Sequence, residues 1–264
     1  MATPFLKWAG GKRWFTARYL DVVPKAYNRY IEPFVGSGAL FFALEPQEAI
    51  IGDINKPLVD TYLAIKENWQ LVLEYLKGYS ESHSKDYYYS VRSSSPVSIH
   101  QRAARFIYLN RTCWNGLYRV NRAGKFNVPI GTKTNVLLDT DDFEQLSKIL
   151  QTTTIINSDF EAIIDSAQEG DFIFADPPYT VKHNNNGFVK YNEDMFSWED
   201  QVRLRDAIVR ATNRNVKILV TNANHASIVE LYSSFKKEVI SRASVIAASS
   251  NNRGKYEELV ISNM

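Results

Sequence analysis

Phe172-Ile173-Phe174-Ala175-Asp176-Pro177-Pro178-Tyr179 is the stretch on which the fold turns. Four apolar residues closed by an Asp-Pro turn read as a short buried strand. In an open α/β sheet, ligands bind where strands end at their carboxyl side, so Asp176 falls at a site position. The tetrapeptide suits one task, which is holding a planar amino group while a methyl is passed to it. The amine of a base is a poor nucleophile because its lone pair is spread into the ring. Asp176 and the carbonyl of Pro177 can each accept a hydrogen bond from that NH2, which favours a more tetrahedral nitrogen. Pro177 and Pro178 fix φ and bring no competing N–H. Tyr179 offers a flat face for stacking.

Working outward, strand-like and helical patterns alternate. Tyr30 to Val35, Ala49 to Gly52, Thr153 to Ile156 and Lys217 to Val220 read as further strands. Helical patterns cover Ala39 to Leu44, Phe160 to Ala167 and Trp198 to Thr212. Lys236 to Ile246 and Tyr256 to Ile261 are expected to pair as a terminal antiparallel hairpin. This alternation predicts a mostly parallel sheet with helices on both faces. The pattern breaks from Lys56 to Asp139. That stretch reads as helical over Leu58 to Leu76 and Ile99 to Asn110, Tyr/Ser-rich around Tyr87 to Ser95, and hairpin-like over Asn115 to Gly131. Residues 56–139 are therefore expected to form an insertion in a domain made of 1–55 and 140–264. Asn184-Asn185-Asn186-Gly187 reads as a loop tip.

Charge singles out the same insertion. The 264 residues carry a net charge of only +2, but the 52 residues from Tyr87 to Leu138 contain no Asp or Glu and sum to +8, leaving −6 for the rest. The first twenty residues are also acid-free and hold Lys7, Lys12, Arg13 and Arg18. Such asymmetry is a footprint for a polyanion. Other classes drop out. No apolar run approaches the about 18 residues of a membrane span. Cys113 is the single cysteine, and His83, His100, His183 and His225 lack ligand spacing, so no disulfide or metal site is expected. Met1 to Gly11 lacks a signal-peptide pattern, which makes a cytoplasmic location the default expectation.

Three more pieces point to a nucleoside-bearing donor. Phe5-Leu6-Lys7-Trp8-Ala9-Gly10-Gly11-Lys12 sets small residues beside an indole and a lysine, suiting a flat ring with a charged tail. Glu32-Pro33-Phe34-Val35-Gly36-Ser37-Gly38 is a strand, a glycine turn and a helix start. It lets a ligand approach the backbone and favours an anionic group at the helix N-terminus. It is neither GxGxxG nor a P-loop. Asp53, followed by Ile54, lies 17 positions beyond Gly36. An acid roughly 20 residues after such a turn binds ribose hydroxyls. A helix cap is the competing reading of Asp53. Together with the amine site, these imply S-adenosylmethionine, with S-adenosylhomocysteine as product.

The chain resembles the Dam family of DNA adenine-N6 methyltransferases, with the donor motifs first, then the insertion, then Asp-Pro-Pro-Tyr. The resemblance extends through Tyr108-Leu109-Asn110-Arg111, Trp114-Asn115-Gly116-Leu117-Tyr118-Arg119, Gly124-Lys125-Phe126-Asn127-Val128-Pro129 and Ser249-Ser250-Asn251. It implies a Rossmann-like methyltransferase sheet with a terminal antiparallel hairpin and an inserted, mostly helical DNA-recognition subdomain. It implies double-stranded DNA, most simply GATC, as substrate, with the target adenine flipped out. Trp8, Ala9, Gly10, Lys12, Glu32, Pro33, Phe34, Gly36, Ser37, Gly38, Asp53, Ile54, Asp159 and Asp176 would face the donor. Asp176, Pro177, Pro178 and Tyr179 would be catalytic. Lys7 would contact the first guanine of the target, Trp114 would wedge into the duplex beside the flipped adenine, and Asn115 would contact the neighbouring base or the orphaned thymine. Leu117, Arg119 and Pro129 would read the second half-site, with Arg111, Asn121, Lys125 and Lys133 also on DNA. Thr112-Cys113 stands where the family more usually has an aromatic-glycine pair. A monomer is the default, and a genetic partnership with a restriction endonuclease is left open, as is a bacterial or phage origin. The rival readings are an RNA adenine or protein glutamine substrate, and a non-catalytic DNA-binding protein with a decayed donor site.

Overall fold

The computed structural model describes residues 2–121, 123–181, 196–243 and 255–264. Arg122, the loop tip at 184–187, His183 and the 249–251 motif lie outside the described residues. The fold is mixed α/β with a seven-stranded, mostly parallel sheet. By compactness the chain falls into two units, one of residues 1–17 and 35–157, the other of residues 18–34 and 158–264.

The first unit contains α1 (Arg13–Thr16), α2 (Ala39–Leu44), β2 (Ala49–Asp53), α3 (Lys56–Glu81), α4 (Lys85–Ser93), α5 (Ile99–Thr112), α6 (Phe143–Gln151) and β3 (Thr153–Asn157). β2 and β3 pair in parallel, with Ile51 opposite Ile155 and Asp53 opposite Asn157. α3 is capped by the Asn55 side chain, which accepts from Leu58 N at 3.3 Å. The helix kinks where Asn68 leaves helical geometry and caps the next turn by accepting from Leu71 N at 3.0 Å. α4 covers ground that composition alone left unassigned. Ser84 caps it, and Tyr88 and Val91, one turn apart, are both buried. α6 is a further helix that the pattern missed. Phe143, Leu146, Ile149 and Leu150 recur at helical spacing and are buried, and Asp142 caps the start.

The second unit contains β1 (Tyr30–Glu32), α7 (Phe160–Asp165), β4 (Phe172–Ala175), α8 (Trp198–Asn213), β5 (Lys217–Ala223), α9 (Ala226–Leu231), β6 (Lys236–Ala243) and β7 (Lys255–Ser262). Its strands run in the order β1-β4-β5-β7-β6. β1 with β4 and β4 with β5 are parallel, while β7 is antiparallel to both β5 and β6. The terminal hairpin is therefore present. β1 stops earlier than its apolar run, because Pro33 has no N–H to continue the ladder. β5 runs three residues further than its apolar core, as Thr221, Asn222 and Ala223 pair with Val260, Leu259 and Glu258 of β7. β1, β4 and most of β5 are buried, as an interior parallel sheet demands. Among the described residues no helix is long and apolar enough to cross a membrane.

Candidate active site and DNA interface

In the first unit the residues expected to face the donor gather around the glycine turn. Gly36 has φ of 47°, and a Cβ there would sit 2.8 Å from Trp8 Cδ1. The turn is thus shaped to receive the indole against bare backbone. The Trp8 ring also stacks on Tyr118 (centroids 5.9 Å apart) and Phe106 (6.2 Å). Tyr62 of α3 donates its hydroxyl to Gly36 O at 2.9 Å and holds the turn from behind. Ser37 and Lys12 are buried, and Lys12 Nζ donates to Gly10 O at 3.1 Å. Ala9 and Gly10 are exposed, and Gly38 takes φ of 64° at the start of α2. Asp53 does not cap α3. Its Oδ1 accepts from Asn55 N at 2.9 Å and its Oδ2 from Gly36 N at 3.3 Å. Burial pushes its carboxyl up to about 6, against the pull of those backbone donors. Ile54 beside it is 73% exposed, apolar surface at the mouth of a polar turn.

In the second unit β1 and β4 end side by side, since Ile31 pairs with Ile173. Glu32-Pro33-Phe34 therefore leave the sheet next to Asp176-Pro177. Glu32 is buried and accepts from the Tyr30 hydroxyl at 2.7 Å. Phe34 stacks on Phe160 at 5.2 Å. Asp159 caps α7 by accepting from Glu161 N at 2.9 Å, and it pairs with Arg203 at 2.9 Å. Asp176 Oδ1 accepts from the Thr221 hydroxyl at 2.6 Å. The Tyr179 hydroxyl donates to Glu258 Oε2 at 2.7 Å, and burial, then the nearby Asp176 and Glu258 charges, hold its phenol well above the usual range. Gln201 Nε2 donates to the Pro178 carbonyl at 3.2 Å. Sequence reading missed Thr221, Gln201 and Glu258 as supports. The one local signal was the polar run Thr221-Asn222-Ala223-Asn224 at the end of an apolar strand.

The DNA-facing candidates lie in the first unit, mostly on a hairpin. Cys113 bridges Ile130 and Val120 bridges Phe126. Asn121 makes the tip, its Oδ1 accepting from Ala123 N and Lys125 N at 3.0 Å each. Trp114 is 53% exposed, and Asn115 next to it holds a left-handed φ of 55°. Arg119, Lys125, Pro129 and Lys133 are exposed, while Leu117 is half-buried. Arg119 Nε donates to Asn127 Oδ1 at 2.8 Å, which orients the guanidinium. Lys7 is brought to the same hairpin. The buried Asn110 accepts from Lys7 N at 2.9 Å and donates to Lys7 O at 2.8 Å and Gly116 O at 3.2 Å. The Lys7 stem crosses Gly116 so closely that a Cβ there would lie 2.6 Å from Lys7 Cδ.

Arg111 departs from the place on DNA that the resemblance implied for it. It is buried, pairs with both oxygens of Asp141 at 2.6 Å, and donates to the Phe5 and Val136 carbonyls. It faces no surface on which DNA could lie. Arg105 is likewise turned inward, donating to the carbonyls of Val91 and Arg92 at the end of α4. The +8 of the acid-free segment thus overstates the charge it presents.

The family of D12 class N6 adenine-specific DNA methyltransferases matches residues 8–246. The chain is 38% identical to the Type II methyltransferase M1.LlaDCHI of Lactococcus lactis subsp. cremoris, over 98% of this chain and 95% of that one. It is 33% identical to the Type II methyltransferase M.MjaIII of Methanocaldococcus jannaschii, over 98% of each. It is 30% identical to the DNA adenine methylase of Haemophilus influenzae, over 97% of this chain and 92% of that one. With its Asp-Pro-Pro-Tyr turn after a buried strand and a glycine turn after another, the chain belongs to the D12 class of N6 adenine-specific DNA methyltransferases.

Proposed function

We propose that this enzyme methylates adenine N6 in double-stranded DNA at GATC, using S-adenosylmethionine and turning the target adenine out of the duplex. Residues 56–139 serve as the target-recognition insertion, and 1–55 with 140–264 as the catalytic domain. The observation that carries this reading is the hairpin turn. It offers an indole that is 53% exposed, next to an asparagine with φ of 55°. Lys7 is fastened beside Gly116, and Arg119 presents an exposed guanidinium. Arginine pairs bidentately with guanine O6 and N7 in the major groove. An indole of this exposure is suited to fill the gap a flipped base leaves, offsetting an unstacking penalty of about a few kcal/mol.

The first-unit residues fit the donor. The Gly36 turn has no room for a Cβ beside Trp8, and Asp53 presents a carboxylate with lone pairs beyond those used by Gly36 N and Asn55 N. S-adenosylmethionine would be held by Trp8, the Gly36 turn and Asp53 and would supply an electrophilic methyl with sulfur as the leaving atom, the displaced N6 proton going to water. The chain's own residues act on the base. Asp176 and the Pro177 carbonyl accept from the N6 hydrogens and draw the lone pair out of the ring. Tyr179, its hydroxyl tied to Glu258, lays its ring on the adenine. Positioning and polarisation suffice, with no covalent enzyme intermediate. Cys113 is no nucleophile, since burial pushes its thiol up to about 11.

Labelled-methyl transfer to matched duplexes with and without GATC, followed by mapping of the modified base, tests the reading. Label confined to GATC adenine is expected. Label on other adenines removes the target sequence and keeps the chemistry, while label only on RNA removes the duplex. A Trp114→Ala variant should lose the fluorescence rise of 2-aminopurine at the target position; an unchanged rise removes the wedge.

A further inference from the structure

Ala175 pairs with Val220, so as β4 ends the next residue of β5, Thr221, flanks Asp176. Its hydroxyl donates to Asp176 Oδ1 at 2.6 Å. Thr221 is fully buried, and its backbone is pinned on the other side by pairing with Val260 of β7. The donor therefore sits on a strand with neighbours on both edges. The next residue continues the support. Asn222 is fully buried and donates from Nδ2 to Gln201 Oε1 at 3.0 Å, and Gln201 holds the Pro178 carbonyl at 3.2 Å. The end of β5 thus grips the Asp-Pro-Pro-Tyr turn at two points.

A carboxylate turns easily about its last torsion, which is broad and roughly two-fold. A single strong hydrogen bond to one oxygen sets its plane and hence the direction of the other. We infer that Thr221 is a positioning residue for methyl transfer, fixing the Asp176 carboxylate in the orientation that accepts from the target amine. This rests on the reading of Asp176 as that acceptor. Thr221 is fully buried, and its hydroxyl, which donates to Asp176 Oδ1, also lies within hydrogen-bond reach of the Tyr179 phenol, so its effect on transfer passes through the Asp-Pro-Pro-Tyr turn. Thr221→Val deletes the hydroxyl while nearly keeping the side-chain shape, so it removes the hydrogen bond to Asp176 Oδ1.

The test is single-turnover methyl transfer by the full chain on a duplex that the wild type methylates. Dissociation constants for S-adenosylmethionine and duplex are measured in parallel for wild type, Thr221→Val, Thr221→Ser and Asp176→Ala. Thr221→Val should lower the transfer rate constant about 10- to 100-fold, with both dissociation constants within about twofold of wild type. Thr221→Ser should restore most of the rate. If melting shows Thr221→Val to be unfolded, Thr221→Ala replaces it with the same expectation. A wild-type rate in the variant lacking the hydroxyl, with Asp176→Ala inactive, overturns the inference and leaves the role of Asp176 standing. A slowed rate that serine fails to restore, or that comes with weakened binding of both partners, makes Thr221 merely structural and also overturns it. Transfer retained by Asp176→Ala removes the acceptor reading, and the inference falls with it.

Discussion

Asp53 and Gly36 meet at one hydrogen bond, and each makes a prediction at the scale of the residue. Burial raises the Asp53 carboxyl from its ordinary 3.8 to about 6. Below both values it is protonated in folded and unfolded chains alike. Between them the folded protein holds a proton that the unfolded chain has released, so stability falls as pH rises, and the deficit is full above about 6. Asp53→Asn should therefore melt higher than wild type near about pH 8, with the difference vanishing near about pH 4. Donor affinity should move the opposite way. The ionised carboxylate is the better acceptor for ribose hydroxyls, so wild-type binding should weaken as pH drops through about 6, and Asp53→Asn should bind weakly with a flat profile. Calorimetric titration across this range checks the sign. Gly36→Ala meets two obstacles, a left-handed φ of 47° and a Cβ 2.8 Å from the Trp8 ring. Strain of about 1–2 kcal/mol is expected in denaturant unfolding, with a larger loss in donor affinity as the indole is displaced. A Gly36→Ala variant that binds the donor normally would separate the turn from the donor pocket.

At the scale of elements, the hairpin over residues 113–131 depends on groups that never reach its surface. Gly131 packs so tightly on this turn that a Cβ would lie 2.5 Å from Cys113 O, and its N–H donates to Thr112 O at 2.7 Å. The Thr112-Cys113 pair is thereby accommodated at the hairpin base, with the Thr112 hydroxyl turned back to Tyr108 O at 2.7 Å. Arg111, one residue earlier, ties the end of α5 to Phe5, Val136 and Asp141. Arg111→Ala should then destabilise the fold by about 2–4 kcal/mol, because the Asp141 carboxylate, 10% exposed and still bonded by Leu138 N, loses its guanidinium partner. Removing Asp141 as well should recover part of that loss, as a double-mutant cycle by denaturant unfolding would measure. A purely DNA-contacting arginine would leave stability unchanged and weaken binding alone. The helices show the same division between local and distant causes. α8 announces itself through a complete capping box at Ser197 and Asp200. α4 is harder to read, because its Tyr- and Ser-rich sequence has middling helical preference and Tyr88 is drawn inward by a hydrogen bond to the distant Val128 carbonyl at 2.9 Å.

For the whole molecule, charge is the informative quantity, provided that inward-facing cations are removed from it. Arg105 and Arg111 are consumed by carbonyls and Asp141, and Arg102 lies 3.6 Å from Asp60. Lys7, Arg119, Lys125 and Lys133 are exposed. A modest number of phosphate contacts should give a correspondingly modest salt dependence. Lys125→Ala should weaken binding to all duplexes alike and lower the slope of log affinity against log salt by about 1. Titrations between about 50 and 200 mM salt, on target and non-target duplexes, measure both effects. Sequence-dependent weakening would make Lys125 a base reader.

The sequence by itself determined the reaction class, because the features that mark it are local. A buried strand followed by Asp-Pro-Pro-Tyr, a glycine turn opening a helix, and an acid past the next strand each depend on the conformational limits of a few consecutive residues. The alternation of strands and helices was legible for the same reason, since side-chain period follows backbone geometry. Tertiary structure alone decided the partners. Thr221 and Asp176 are 45 positions apart, and Tyr179 and Glu258 are 79 apart. They meet because β5 pairs with β4 on one edge and β7 on the other, a register that no local pattern encodes. The fate of Arg111 was undecidable from charge for a similar reason. A guanidinium fits a carboxylate and a phosphate with the same planar fork, so only the packing of α5 chose Asp141 over DNA.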